Sequence, residues 1–122
     1  MHSSWRIAVI VVLNLFDIIP GRQHQYAEYL RRVQPILDRY GASVVLYGLT
    51  RMIYMGKCTQ QYCGLIGYNS LRDLRTLSHD PEFVEIRPLR DKSTTNYVLT
   101  AVEAFGCLND AVAYLENSGE AD

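Results

Sequence analysis

Between Arg6 and the Pro20-Gly21 turn the chain runs Ile7-Ala8-Val9-Ile10-Val11-Val12-Leu13-Asn14-Leu15-Phe16. Successive side chains of a strand point to opposite faces. A β-branched run that is apolar at both parities therefore predicts a strand, over residues 7–16, that is covered on both sides. The run is about half as long as the roughly 20 apolar residues that cross a bilayer. Asn14 and Asp17 interrupt it, and Ile18-Ile19-Pro20-Gly21 offers no small-residue cleavage site. It reads as a core strand of a soluble cytoplasmic protein, neither a signal peptide nor a membrane span.

From Gln23 to Tyr40 the apolar positions Tyr26, Tyr29, Leu30, Val33, Leu37 and Tyr40 recur at steps of three and four, the stripe of an amphipathic helix. Gly41 stands where a left-handed cap ends such a helix. Pro35, which lacks an N–H, predicts a kink within one helix rather than two helices. Ser43–Leu49 reads as a second strand, continued beyond a bend at Gly48 by Thr50–Met55. Gly56–Gln61 reads as a turn. Tyr62–Tyr68 reads as a third strand in which Gly64 and Gly67 allow close approach of another group. Ser70 caps a short helix, with Asp73 three residues on. Asp80-Pro81-Glu82 opens another, with Asp80 as cap, Pro81 in the first helical position and Glu82 complementing the dipole. This helix carries Phe83, Ile86 and Leu89 and ends near Arg90. Thr94–Ala104 is a fourth strand, Asn109–Glu116 a short helix, and residues 117–122 a frayed tail.

The order strand, helix, strand, strand, helix, strand predicts a single α+β domain over residues 1–122, with a core at 7–104 and a C-terminal helical extension at 105–122. The economical arrangement is a ferredoxin-like βαββαβ fold, a four-stranded antiparallel sheet with its helices on one side. At 122 residues and 48% hydrophobic content the chain can bury a core of its own. One sheet face would still lie bare, although the strands are apolar at both parities. A second copy of the chain is the simplest cover, so a homodimer is expected.

A net charge of −1 argues against a dedicated nucleic-acid binder. The third strand also lacks the basic and aromatic pattern of RNA-recognition domains. Cys58, Cys63 and Cys107 are odd in number and do not match zinc-knuckle spacing. His2, His24 and His79 are scattered. Reduced thiols and no metal are expected. No phosphate-binding glycine loop, dinucleotide fingerprint or Ser-His-Asp spacing is present.

Three segments carry a family resemblance: Tyr26-x-x-Tyr29 through Val33-x-Pro35 to Tyr40-Gly41; Ser70-Leu71 leading to Asp80-Pro81-Glu82-Phe83; and Arg87-Pro88-Leu89-Arg90 before the last strand. Over residues 7–104 the chain resembles the dimeric α/β-barrel superfamily of ferredoxin-like folds. Within it the chain looks most like a small bacterial family of unknown function. It departs from that family at Ala42, where a second glycine is usual, at Phe83, where tyrosine is usual, and at Tyr47-Gly48, all that represents a glycine-rich strand ending. The superfamily holds cofactor-free quinone-forming monooxygenases of the antibiotic-biosynthesis type, muconolactone-type isomerases, haem enzymes and members that only bind. The resemblance implies a dimeric α/β barrel with a small aromatic or enolisable ligand. No cofactor is expected, since no histidine stands at an obvious haem-ligand position.

Arg90 matches the closing motif and could hold a carboxylate or enolate oxygen; a salt bridge to Glu82, Glu85 or Asp91 is the structural alternative. Asn14, an amide in an apolar strand, either orients a ligand oxygen or bonds strand backbone. Asp17 is either a base strengthened by burial or a solvated loop carboxylate. His24, in the first helical turn, accepts a proton if it faces the cleft; His79 precedes a cap and reads as exposed or structural. Of nine tyrosines, Tyr26, Tyr47, Tyr54 and Tyr68 suit a pocket for planar molecules. The expected site is thus Arg90, His24 and Asp17 for chemistry and Asn14, Tyr26, Tyr47 and Tyr68 for the ligand. The alternative is a non-catalytic binding or regulatory module using the same residues. The role of Leu108–Leu115, whether capping the barrel or supporting further pairing, is left open.

Overall fold

The computed structural model describes residues 9–120. In chain order the elements are β1 (Ile10–Ile18), α1 (Gln23–Arg39), β2 (Ser43–Leu49), β3 (Tyr62–Tyr68), α2 (Leu71–Ser78), α3 (Pro81–Ser93), β4 (Thr94–Glu103) and α4 (Leu108–Glu120). The expected start of the first strand at Ile7 and Ala8 lies outside the described residues. All neighbouring strands are antiparallel, in the order β2-β3-β1-β4. With α1, α2 and α3 packed on one side of this sheet, the chain has the α+β, ferredoxin-like arrangement.

The period-two alternation of β1 divides the sheet. Ile10, Val12 and Phe16 are buried on the helix side with Tyr26, Tyr29, Val33, Ile36 and Leu37 of α1 and Phe83 and Ile86 of α3. Val11, Leu13 and Leu15 point the other way. Their cross-strand partners Gly67, Leu65 and Cys63 on β3 and Val102 and Val98 on β4 extend that open face. Val98 and Val102 remain 41% and 45% exposed there.

Local chemistry sets the element ends. Gly41 adopts φ +68°. The N–H of Ala42 reaches the Leu37 carbonyl at 3.0 Å and that of Gly41 the Asp38 carbonyl at 3.2 Å, the paired bonds of a Schellman cap. The Ser70 hydroxyl accepts from the Asp73 N–H at 3.1 Å, and the Asp80 carboxylate from the Glu82 N–H at 2.8 Å. Asp80 also accepts from the Tyr40 hydroxyl at 2.6 Å, tying the end of α1 to the start of α3. α1 passes through Pro35 as one continuous helix.

Three extents differ from the sequence reading. Thr50–Met55 does not continue β2: the Thr50 N–H still bonds the Gln61 carbonyl at 2.8 Å, but β3 begins at Tyr62, opposite Leu49. Among the described residues no strand pairs with those beyond, and Tyr54 and Met55 are each 91% exposed. α3 runs past Arg90 to Ser93 because the Ser93 and Thr94 hydroxyls donate to the carbonyls of Leu89 and Arg90, at 2.5 and 2.7 Å. α4 extends to Glu120, so residues 117–120 are helical rather than frayed; a helix tolerates Gly119 at a cost of about 1 kcal/mol.

Candidate functional site

β4 does not track β1 regularly. Leu15 pairs with Val98 and Asp17 with Thr95, so Phe16 faces two residues, Asn96 and Tyr97, across a bulge. Asn96 takes φ +57°, a left-handed conformation that asparagine tolerates better than most residues. Its amide donates to the Thr59 hydroxyl at 2.8 Å and to Asp17 at 3.3 Å, and its carbonyl accepts from Gln60 at 3.1 Å. Such bulges re-aim side chains. Here Tyr97 is brought back onto the helix side, its ring stacked on Phe16 at 5.0 Å between centroids.

A second close approach completes the arrangement. Tyr47, Gly64, Asn14 and Leu99 form one row across the sheet. The Tyr47 ring lies against Gly64: a Cβ on that glycine would sit 2.9 Å from two ring carbons. This is the approach that the glycine of the third strand permits.

Between the sheet and the helices these rings enclose a cavity of about 580 Å³, within the ordinary range for small-molecule sites. Its walls are aliphatic and phenolic: Val12, Leu30, Val33, Leu37, Ile66, Leu77 and Leu99, with Tyr26, Tyr29, Tyr47, Tyr68 and Tyr97. The Tyr26 and Tyr47 hydroxyls bond each other. Tyr47 is 40% exposed overall, but its hydroxyl end is the part turned inward onto Tyr26. The Tyr97 hydroxyl donates to the Asn14 side-chain oxygen at 2.8 Å, while the Asn14 nitrogen donates to the Gly64 carbonyl at 3.3 Å. Asn14 is thus satisfied within its own sheet and holds Tyr97 in place.

Arg90 contributes positive charge. Its side chain is only 16% exposed, and its guanidinium lies 5.4 Å from the Tyr97 ring centre and 6.0 Å from that of Phe83. Two aromatic faces at that range suit a partly desolvated cation. Its Nε donates to Asp91 at 3.0 Å. Burial alone would lower the Arg90 pKa, but Tyr29 and Asp91 reverse this, so the net shift is upward and the group stays cationic. Arg87, one helical turn earlier, lines the same cavity. Among the described residues the lining contains no His, Asp, Glu, Lys or Cys. Nor, among the described residues, do three His, Cys, Asp or Glu side chains come together as a metal site.

Burial pushes the phenols upward. The pKa values of Tyr26, Tyr29, Tyr47 and Tyr97 all rise chiefly by desolvation, and that of Tyr68 is pushed up to about 12 for the same reason. At neutral pH the cavity is therefore an array of uncharged hydroxyls beside two guanidinium groups. Above the ordinary tyrosine pKa of about 10 the unfolded chain releases protons that the folded chain keeps. The contribution is complete below that pH and is lost as pH rises through about 12, where Tyr68 titrates. Thermal melts should hold a level Tm up to about pH 10 and fall above it, with tyrosinate absorbance appearing together with unfolding. Buried phenols that ionise near pH 10 in the folded protein, with no fall in Tm, would contradict this.

The structure brings Arg90, Asn14, Tyr26, Tyr47 and Tyr68 to one cavity and leaves His24 and Asp17 outside it. His24 is exposed on the first turn of α1. Asp17 accepts from the Gln61 N–H at 2.8 Å and from Asn96, so its carboxylate secures the loop and the bulge. Tyr54 is exposed on the connection between β2 and β3. The sequence reading passed over Tyr29, Phe83, Arg87 and Tyr97 as site residues. Tyr29 and Arg87 stand three residues from Tyr26 and Arg90, one turn away on the same helix face, and that spacing could have found them. Tyr97 depends on the bulge, which leaves no comparable trace along the chain.

Residues 15–105 match the model of a family described as a domain of unknown function (DUF1330). The chain belongs to this family. Among solved structures it is similar to a protein of unknown function from Rhodopseudomonas palustris, at 21% identity over 84% of this chain and 86% of that one, with a TM-score of 0.73. A dimeric ferredoxin-like protein of unknown function from a Jannaschia species matches at 13% identity over 78% and 98% of the two chains, with a TM-score of 0.67. SnoaB, a cofactor-independent oxygenase from Streptomyces nogalater, matches at 14% identity over 84% and 98%, with a TM-score of 0.60. At these identities the likeness is one of fold. No curated protein matches. No helix among the described residues is long and apolar enough to cross a membrane.

Proposed function

We propose that each protomer binds one small planar anion, an aromatic carboxylate, phenolate or enolate, in the cavity between sheet and helices. The observation that carries this reading is the Arg90 guanidinium, largely buried against the Phe83 and Tyr97 rings at the wall of a chamber whose other described polar groups are neutral hydroxyls and amides and a second guanidinium, that of Arg87. A cation in such surroundings favours a negative oxygen far more than it would in water. The tyrosines offer flat apolar faces and hydroxyl tips to a ring. Tyr97 spends its proton on Asn14, so its oxygen remains an acceptor.

Two activities fit this binding mode. With no group among the described lining residues that takes up a proton at neutral pH, a reaction here suits a substrate acidic enough to ionise against Arg90. Cofactor-independent oxygenation or isomerisation of an enolisable ring is of that kind, and SnoaB, a cofactor-independent oxygenase, has a similar fold. The second reading is a binding or regulatory module without turnover, which the same base-free lining favours. Calorimetric titration with 1-hydroxy-2-naphthoate tests the common core of both. The wild type should bind it, Arg90→Gln should weaken it by about tenfold or more, and Arg90→Lys should fall between. Equal affinity in all three proteins would remove Arg90 from the site. Mass spectrometry of the bound compound after incubation in air separates turnover from retention.

The homodimer belongs to the same proposal. The open sheet face, with Val11, Leu13, Leu15, Leu65, Val98 and Val102, is a continuous apolar surface of the kind that marks an interface. The similar protein from Jannaschia is dimeric. A second copy seated face to face would cover it, with one cavity remaining in each protomer.

A further inference from the structure

We infer that the ligand of this cavity carries two acidic groups, one held by Arg90 and the second by Arg87, which deepens the proposed function and rests on it. Arg87 and Arg90 lie three positions apart on α3, so their side chains leave the helix from one face, about 5–6 Å apart at Cβ. Both line the cavity. Their surroundings differ. Arg90 is set among aromatic rings and bonded to Asp91 through Nε. Arg87 is half-buried, and no ion pair or hydrogen bond among the described residues involves it.

Two half-buried carboxylates elsewhere on the chain are matched. Asp80 meets Arg39 and Tyr40, and Asp17 meets Asn96 and the Gln61 N–H. Asp91, one turn beyond Arg87 on α3, is engaged instead by Arg90 at 3.0 Å. Two cations one turn apart on one helix repel each other. Arg90 has Asp91 at its Nε, and the described lining includes no carboxylate, so the charge of Arg87 is left to the ligand. The side chains nearest in kind to a second polar end, Gln34 of α1 and Ser78 of α2, line the cavity as well. A planar ligand with its ring among the tyrosines, one acidic group at Arg90 and another about 5 Å away toward Arg87, satisfies both charges. Rings bearing two carboxylates in a 1,3 relation, or a carboxylate beside an enolate or phenolate oxygen, have that shape.

The matched probes are 2-naphthoate, with one charge, and naphthalene-1,3-dicarboxylate, with two, titrated calorimetrically into the full chain. The dicarboxylate should bind the wild type about tenfold more tightly than the monocarboxylate. Arg87→Gln should erase that preference, and Arg87→Lys, which keeps the charge, should restore most of it. Arg90→Gln should weaken both probes. Circular dichroism of each variant establishes that the fold is retained. A wild type that binds both probes equally, or a preference that survives Arg87→Gln, would overturn the second contact and leave the Arg90 reading standing. A wild type that binds neither probe would overturn both.

Discussion

Replacing Phe16 by alanine is expected to destabilise the protein by about 3–5 kcal/mol, a large part of the roughly 5–15 kcal/mol that holds a domain of this size together. Phe16 is fully buried. Its ring stacks on Tyr97 at 5.0 Å and on Tyr62 at 5.5 Å, and meets Tyr26 at 5.2 Å and Tyr47 at 6.2 Å. Removing it costs the transfer energy of the ring and leaves a void beneath four tyrosines that cannot all move into it. The loss extends to function, because the void opens into the ligand cavity and frees Tyr26, Tyr47 and Tyr97 from their support. Denaturant unfolding should show the lowered midpoint with an unchanged slope, and ligand affinity should fall in the same variant. Phe16→Leu, which keeps an apolar side chain but loses the ring contacts, is expected to lie between alanine and wild type. A loss below about 1 kcal/mol in Phe16→Ala would mean that the aromatic cluster is not a packed unit.

Leu13→Asp is expected to convert a dimer to a monomer while leaving the protomer folded. Leu13 sits in the centre strand of the open face, between Leu65 of β3 and Thr100 of β4. In a lone protomer an aspartate there meets water at little cost. Within an interface of two such faces it buries unpaired carboxylates opposite an apolar surface, at a cost of several kcal/mol. Light scattering after size exclusion would show the mass halved, and circular dichroism the helix content retained. A monomeric wild type at micromolar concentration, or a variant that stays dimeric, would place the interface elsewhere or dispense with it.

Much of the architecture can be read along the chain because the signals are local. Ser70, Asp80 and Gly41 cap helices through bonds to residues two to four positions away, and the structure makes those bonds. The spacing of Tyr26, Tyr29, Val33 and Leu37 places one face of α1 against the sheet whatever lies beneath it. Even the need for a covered second face follows from β1 alone, since a strand apolar at both parities has no face to give to water. Thr50–Met55 shows where the local reading stops. Its composition suits a strand, but a strand exists only where another lies beside it, and β3 begins too late in the chain to pair with it.

The site is of the second kind. Asp17 and His24 looked reactive from their types and neighbours, yet Asp17 is engaged by a backbone N–H and an asparagine that the loop between β2 and β3 and the bulge in β4 bring to it. His24 lies on the outer face of its helix. Tyr97 reaches the cavity only because Asn96 takes a left-handed turn opposite Phe16. Arg90 acquires its aromatic setting from Phe83 on its own helix and from Tyr97 on the next strand. The sequence alone therefore determines element order, the caps at Gly41, Ser70 and Asp80, and the apolar character of both faces of β1, because each depends on contacts within a few residues or on the alternation of one strand. Which side chains share the cavity, and which charges face it unpartnered, is decided by strand register and by the bulge. Those arise between residues some 80 positions apart, such as Asn96 and Asp17, and have no counterpart in local pattern.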